Sequence, residues 1–297
     1  MIASYQVIDG RIQAEACEIN VVHHCNLSCR SCSHLSPVSP RLAVDPDAVH
    51  RDLAALAPHY RPKHVRLVGG EPLLHPALAD VVAAVRRSGI SDRIRMITNG
   101  VLLARMTPAV WDGIDELHVS LYPGHLVDEA GRRRWNARAA EHGVEMYWKR
   151  FDSFRESYSE AGTSDAALVR RIYESCQIAH VWHCHNVVDG HFYKCPQSYF
   201  VPELLGRGGD GLPISGRPTL GRDLLAFLED PEPLRSCANC LGSVGRRLQH
   251  EQVPRRAFRG AQSAPTKDLL DGEFLERLET RDRGASNGCV TFREHVV

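Results

Sequence analysis

Neither sign of charge prevails in this chain, where 36 Lys and Arg are balanced by 36 Asp and Glu. Without a basic or acidic excess there is no electrostatic footprint for nucleic acid or for a membrane surface, and no partner of either kind is expected. A run of about 18 apolar residues is also missing, which removes the signature of a membrane-spanning helix. The stretch Met1 to Gly10 lacks a basic region followed by an apolar one, so no secretory signal is read there. A cytoplasmic location is therefore expected. No internal repeat is visible. What remains is the composition of an ordinary globular protein, 43% hydrophobic and 24% charged. Its 297 residues suffice for one large α/β domain, or for a domain of about 170 residues with a smaller appendage.

Cysteine is the residue in excess. Ten cysteines in a reducing compartment do not read as a disulfide framework, which leaves metal binding, catalysis or inert burial. They are unevenly spread: four by residue 32, none until Cys176, five from Cys176 to Cys240, and Cys289 alone near the end. Two groups of thiols imply two metal sites.

The front half alternates two patterns. Glu18–His23, Lys63–Val68, Ile94–Thr98, Glu116–Leu121 and Val144–Lys149 are short and mostly rich in β-branched or aromatic residues, which predicts strands. Between them Asp45–Leu56, Ala77–Arg87, Pro108–Asp112 and Asp128–Glu141 predict helices. Asp45-Pro46 offers an N-cap followed by proline at the first helical position, and His142-Gly143 offers a stop. Such alternation implies parallel strands joined by right-handed crossovers. Five units imply an α/β partial barrel rather than a closed eight-fold one, with reactive residues at the C-terminal ends of strands. From about Phe151 the pattern changes: Asp165–Glu174 reads as a helix, and His185–Tyr193 as a hairpin turning at Asp189-Gly190. Arg207–Arg217 is a Gly/Pro-rich loop, and Phe274–Thr280 a closing helix.

Just after the first strand come Cys25, Cys29 and Cys32, spaced C-x₃-C-x₂-C. Three such thiolates suit three irons of a [4Fe–4S] cube and leave the fourth iron open. A structural zinc site would need a fourth ligand, which His23, His24 or His34 could supply. Gly69-Gly70-Glu71-Pro72 closes the second strand; its glycines allow close approach of a ligand, and Glu71 offers a carboxylate to an ammonium. Thr98-Asn99-Gly100 closes the third strand. Each motif alone reads as a turn; the three in order at strand ends read as a site.

In these motifs the first 150 residues resemble the radical S-adenosylmethionine (SAM) superfamily, whose fold is a partial (β/α)6 barrel. The resemblance implies a [4Fe–4S] cluster on Cys25, Cys29 and Cys32, SAM bound with its methionine amine at Gly69, Gly70 and Glu71, and further cofactor contacts from Asn99 and Ser120. It implies cleavage of SAM to a 5′-deoxyadenosyl radical, fed by a flavodoxin- or ferredoxin-type electron donor. One departure is Ser31, where family members often carry an aromatic residue.

The second group is similar to a small C-terminal "twitch" domain, a trimmed SPASM domain holding one auxiliary [4Fe–4S] cluster. That match assigns Cys176, Cys195, Cys237 and Cys240, with Cys184 as a substitute for Cys176 at a shorter spacing; spacing alone leaves zinc open. Residues 1–160 would form the barrel, 161–255 the auxiliary region and 256–297 a tail. Related enzymes oxidise or epimerise aminocyclitols in aminoglycoside biosynthesis, so the expected substrate is a small polar molecule, a sugar or aminocyclitol. Cys184 would then be the hydrogen donor for epimerisation, ahead of Cys17 and Cys289, and Tyr147 and Lys149 substrate contacts alongside Tyr122, Arg150 and Arg155. His183 and His185 read as structural, hydrogen-bonded histidines. Alternatives are a ribosomal-peptide maturase, made less expected by the 16 residues before Cys17, and a zinc-stapled binding protein without catalysis.

Overall fold

A computed structural model describes residues 2–214 and 216–280. The strands are β1 (Val7–Ile8), β2 (Arg11–Val22), β3 (Tyr60–Gly69), β4 (Ile94–Thr98), β5 (Glu116–Leu121), β6 (Glu145–Arg150), β7 (Ser153–Arg155), β8 (His185–Val188), β9 (His191–Tyr193), β10 (Leu212–Pro213) and β11 (Arg247–Gln249). The helices are α1 (Pro46–Leu56), α2 (Leu78–Ser88), α3 (Pro108–Gly113), α4 (Glu129–Glu141), α5 (Ala166–Glu174), α6 (Gln177–His180), α7 (Gln197–Leu204), α8 (Leu220–Glu229), α9 (Arg255–Ala261), α10 (Thr266–Leu269) and α11 (Gly272–Thr280).

The main sheet runs β10-β9-β8-β2-β3-β4-β5-β6, with β1 folded back on β2. β8, β2, β3, β4, β5 and β6 are all parallel, and the two edges do not meet. This is an open, six-stranded partial barrel of parallel strands. Its sixth strand is not a continuation beyond β6. The chain returns to the opposite edge, and the hairpin β8–β9 adds there beside β2. A boundary near residue 160 thus does not separate the sheet from the later chain.

Local chemistry fixes the crossovers. Asp45 caps α1 by accepting from the Asp47 amide, Pro46 opens the helix, and Gly89 ends α2 in the left-handed region at φ 67°. Leu53 and Leu56 of α1, Val81 and Val85 of α2, and Trp111 of α3 pack on the strand residues that point outward, among them Ile19, Leu67, Met96 and Val119. Each such side chain contributes roughly 1.5–3 kcal/mol by leaving water. The intervening strand residues turn to the other face, and there the sheet is polar: Glu18 pairs with Arg66 and Glu116 with Arg95 across neighbouring strands, and His118 meets Glu116 within β5.

A second core joins the loop after Cys32 to the later chain. Leu35 and Val38 pack with Tyr158, Tyr193, Tyr199, Phe200 and Phe258. A two-stranded sheet of β7 and β11 ties the segment after β6 to the region before α9.

Candidate active site

The motifs at the strand ends meet at one mouth. Gly70 donates its amide to the Val22 carbonyl at 2.8 Å, and Glu71 donates to the His24 carbonyl at 3.1 Å. A Cβ on Gly69 would lie 2.2 Å from the Val22 oxygen, and one on Gly70 only 1.8 Å from the His24 oxygen. The two glycines therefore let β3 dock against the chain that enters the cysteine loop. The expectation of room for a ligand misses this: the close neighbour is the protein's own backbone.

Glu71 is fully buried. It accepts from Thr98 Oγ1 at 2.7 Å, the Asn99 amide at 2.8 Å and the Leu73 amide at 3.1 Å. Burial raises its carboxyl above the usual value, and these bonds oppose the rise. Asn99 in turn donates its side-chain amide to Asn26 Oδ1 at 2.7 Å and to Cys25 Sγ at 3.6 Å. The ends of β3 and β4 thus hold the start of the cysteine loop.

Burial raises the Cys25 and Cys29 thiols, and the nearby Cys32 thiol raises both further, with Cys25 pushed up to about 12. Backbone amides of His34, Leu35 and Ser36 point at Cys32. Grouped buried thiols that repel one another as thiolates fit a cationic iron core that neutralises them. The loop is braced from outside by the late chain, through Arg30 N to the Glu251 carbonyl at 2.9 Å and Val253 N to the Ser28 carbonyl at 2.8 Å. Ser31, at φ 59°, turns inward and donates to the buried carboxylate of Glu156 at 2.8 Å, to which Gln262 also donates. Ser120 hydrogen-bonds Tyr122, whose hydroxyl lies within electrostatic reach of all three thiols. Tyr122 stacks on His250 at 4.8 Å, and His250, 8% exposed, has neither ring nitrogen partnered among the described residues.

The profile of the Radical SAM superfamily matches residues 19–169, about half of the chain. The chain belongs to the radical SAM superfamily. Membership implies a [4Fe–4S] cluster and SAM, and the grouped thiols of Cys25, Cys29 and Cys32 could hold the cluster. Among curated proteins, a probable GTP 3′,8-cyclase of Metallosphaera sedula is 32% identical over 111 residues, covering 36% of this chain and 34% of that protein. The GTP 3′,8-cyclase of Chlorobaculum tepidum is 35% identical over 105 residues, covering 35% and 31%. The chain thus spans about a third of the length of these relatives. Among solved structures, BtrN in complex with AdoMet and 2-DOIA is 16% identical with 88% of each chain covered and a TM-score of 0.43. Streptococcus suis SuiB bound to S-adenosylmethionine is 12% identical, with 75% and 68% covered and a TM-score of 0.38.

This radical SAM chain carries a second thiol centre. Cys176, Cys195, Cys237 and Cys240 all line one small cavity of about 20 Å³, together with Tyr173 and Lys194. Among the described residues no three His, Cys, Asp or Glu converge on a point suited to one metal ion; these four thiols surround a space instead. Cys176 caps α6 and receives the amides of Ile178 and Ala179, while Cys195 precedes α7 and receives those of Gln197 and Ser198. Gly242 donates its amide to Cys240 Sγ at 3.2 Å, and a Cβ on Gly242 would crowd Cys176 Sγ at 3.2 Å. Burial pushes the Cys195 thiol up to about 12. Buried thiols met by backbone donors suit metal-bound thiolates.

Cys184 does not line that cavity, although it lies within electrostatic reach of Cys195. Its sulfur accepts from Arg66 Nη1 at 3.7 Å, beside Glu18, at the N-terminal end of β8. Since His185 pairs level with Cys17, Cys184 lies at least five residues, or about 16 Å of strand rise, below Val22, at the far end from the mouth. It neither lines the second cavity nor reaches the first site. Cys17 is fully buried on the helix-packed face, and Cys289 lies outside the described residues. Tyr147 and Lys149 belong to the edge strand β6: Tyr147, 45% exposed, donates to Glu145 at 2.7 Å, and Lys149 lies 5.3 Å from the centre of the Phe151 ring. Arg155 bonds the Gly245 carbonyl and Asp271. His185 is held between the hydroxyls of Tyr5 and Tyr60, and burial keeps it well below its usual pKa.

Sequence reasoning misses His250, Glu156 and Lys194. The first two show no local pattern; Lys194 stands next to Cys195, which is a readable signal.

Proposed function

We propose that the chain is a two-cluster radical SAM enzyme that oxidises a small polar molecule, a sugar or aminocyclitol, in natural-product biosynthesis. The observation that carries this reading is the cavity lined by four thiols. Four protein thiolates would satisfy every iron of a [4Fe–4S] cluster, leaving none open to substrate, so its use there is to take up an electron. With a flavodoxin- or ferredoxin-type donor, cluster and SAM at the first site supply a radical able to take hydrogen from an unactivated carbon.

The chain's own residues position these parts. Glu71 has about four acceptor positions and uses three within the protein, which leaves one for the amine of methionine. Asn99 and Asn26 steady Cys25. The polar face of the sheet, with Ser120 and Lys149 level in register near the mouth, suits a substrate rich in hydroxyl or amino groups. Oxidation is favoured over epimerisation because neither Cys184 nor Cys17 is placed to return hydrogen at the mouth. Arg66, Arg93 and Arg95 are each paired with carboxylates, which weighs against a triphosphate in place of the sugar.

The test is anaerobic incubation of the reconstituted protein with dithionite, SAM and a panel of aminocyclitols, GTP and candidate peptides. The expected result is substrate-dependent 5′-deoxyadenosine with a product two hydrogens lighter. An isomeric product carrying solvent deuterium, or conversion of GTP or peptide alone, would overturn the proposal.

A further inference from the structure

The cavity of the second thiol centre holds a buried cation. Lys194 follows β9 directly and precedes Cys195, so the hairpin and the ligand loop fix it from both sides. The residue is 2% exposed. Its Nζ donates to the Tyr173 hydroxyl at 2.6 Å and to the Asp230 carbonyl at 3.0 Å, and lies over the rings of Tyr173 and Phe227. Those acceptors are neutral. Among the described residues no carboxylate comes within ion-pair distance of Nζ; burial lowers its pKa, and Asp230 and the thiols of Cys237 and Cys195 oppose that through space. A buried cation without a paired anion is costly, by several kcal/mol when nothing compensates it. The compensating charges available in this cavity are the four thiolates.

Resting on the reading of this cavity as a cluster site, we infer that Lys194 is the counter-charge of the auxiliary cluster and sets its reduction potential. In the proposed oxidation the substrate loses a hydrogen atom from carbon to the adenosyl carbon; the resulting radical gives up its hydroxyl proton to a base or solvent and one electron to the cluster, and a C=O bond forms. That electron adds a negative charge to a site already holding four thiolates. A fixed ammonium in the same low-dielectric cavity favours the more negative state, and so raises the potential. Lys194 touches neither substrate nor SAM; it is a positioning residue that acts through the cluster.

The experiment uses the full chain carrying Cys25→Ala, Cys29→Ala and Cys32→Ala, so that only the auxiliary centre titrates. Iron is counted first, and the centre is then titrated with mediators and followed by its electron paramagnetic resonance signal. K194M, K194Q and K194R are compared in that background. With about four irons bound in each, the neutral variants are expected to lower the ratio of reduced to oxidised cluster at fixed potential by at least about ten-fold, a shift of about 59 mV. K194R is expected to stay within about three-fold of the parent. Loss of iron in both neutral variants with retention in K194R also supports the counter-charge. Neutral variants that titrate with the parent, or loss of iron in K194R as well, overturn it while leaving the cluster site standing. Zinc or no iron in the parent overturns both.

Discussion

The two thiol centres are built in opposite ways. The first takes three cysteines from eight consecutive residues and sets them on a loop at the mouth of the barrel. That loop is held from below by the ends of β3 and β4 and braced from outside by residues 251–253. The second draws four cysteines from a span of 65 residues, two of them beside helix starts, around a small cavity. Three ligands leave a coordination position open, whereas four close the shell. The first arrangement suits chemistry on a bound molecule; the second suits electron storage. The difference lies in ligand count and in where the backbone carries the ligands, since burial raises the thiols at both.

Variants can pull this contrast apart. The largest effect is expected from Cys240→Ala, which opens the closed shell: the oxidised product should be lost, while uncoupled 5′-deoxyadenosine stays within about ten-fold of wild type, as read by chromatography. Equal loss of both would merge the two roles. Gly70→Ala comes next, because its Cβ overlaps the His24 carbonyl. The loop must move at roughly 1–3 kcal/mol or more, and SAM cleavage should fall at least about ten-fold with the auxiliary iron retained. Thr98→Val removes one donor to buried Glu71; about 1–3 kcal/mol of stability should go, seen as a lower midpoint in denaturant. Cys184→Ser is the smallest. Product identity and rate should stay within about two-fold, and a switch to release of the carbon radical unquenched would restore Cys184 as a hydrogen donor.

The first centre is legible in the sequence because its three cysteines are closely spaced and its partner motifs close strands. Ile94–Thr98 and Glu116–Leu121 match their strands to the residue, being short apolar alternations bounded by polar turns. For β2 the readable part begins only at Glu18. Its first half, Arg11–Ala16, alternates polar residues with Ile12, Ala14 and Ala16 and so carries little apolar weight, yet it pairs with β3 from Ile12. The hairpin at His185–Tyr193 is visible locally, but its place beside β2 depends on parallel pairing with a strand 168 residues earlier. The same non-locality hides why Gly69 and Gly70 are glycines, since the clashing atoms belong to Val22 and His24. It also hides the role of Ser31, whose partner Glu156 lies 125 residues away. Cys184 is misplaced by sequence reasoning for a related reason. Its spacing to Gly190 is plain, but its position at the start rather than the end of a parallel strand is set by a register that only the folded sheet reveals.

The most direct test of two centres with separate roles is an iron and sulfide count on anaerobically reconstituted protein, paired with SAM cleavage under dithionite. Wild type is compared with the variant carrying Cys25→Ala, Cys29→Ala and Cys32→Ala. The account predicts about eight irons falling to about four, with cleavage abolished. About four irons in wild type that vanish in the variant, or zinc in place of the remaining iron, would contradict it.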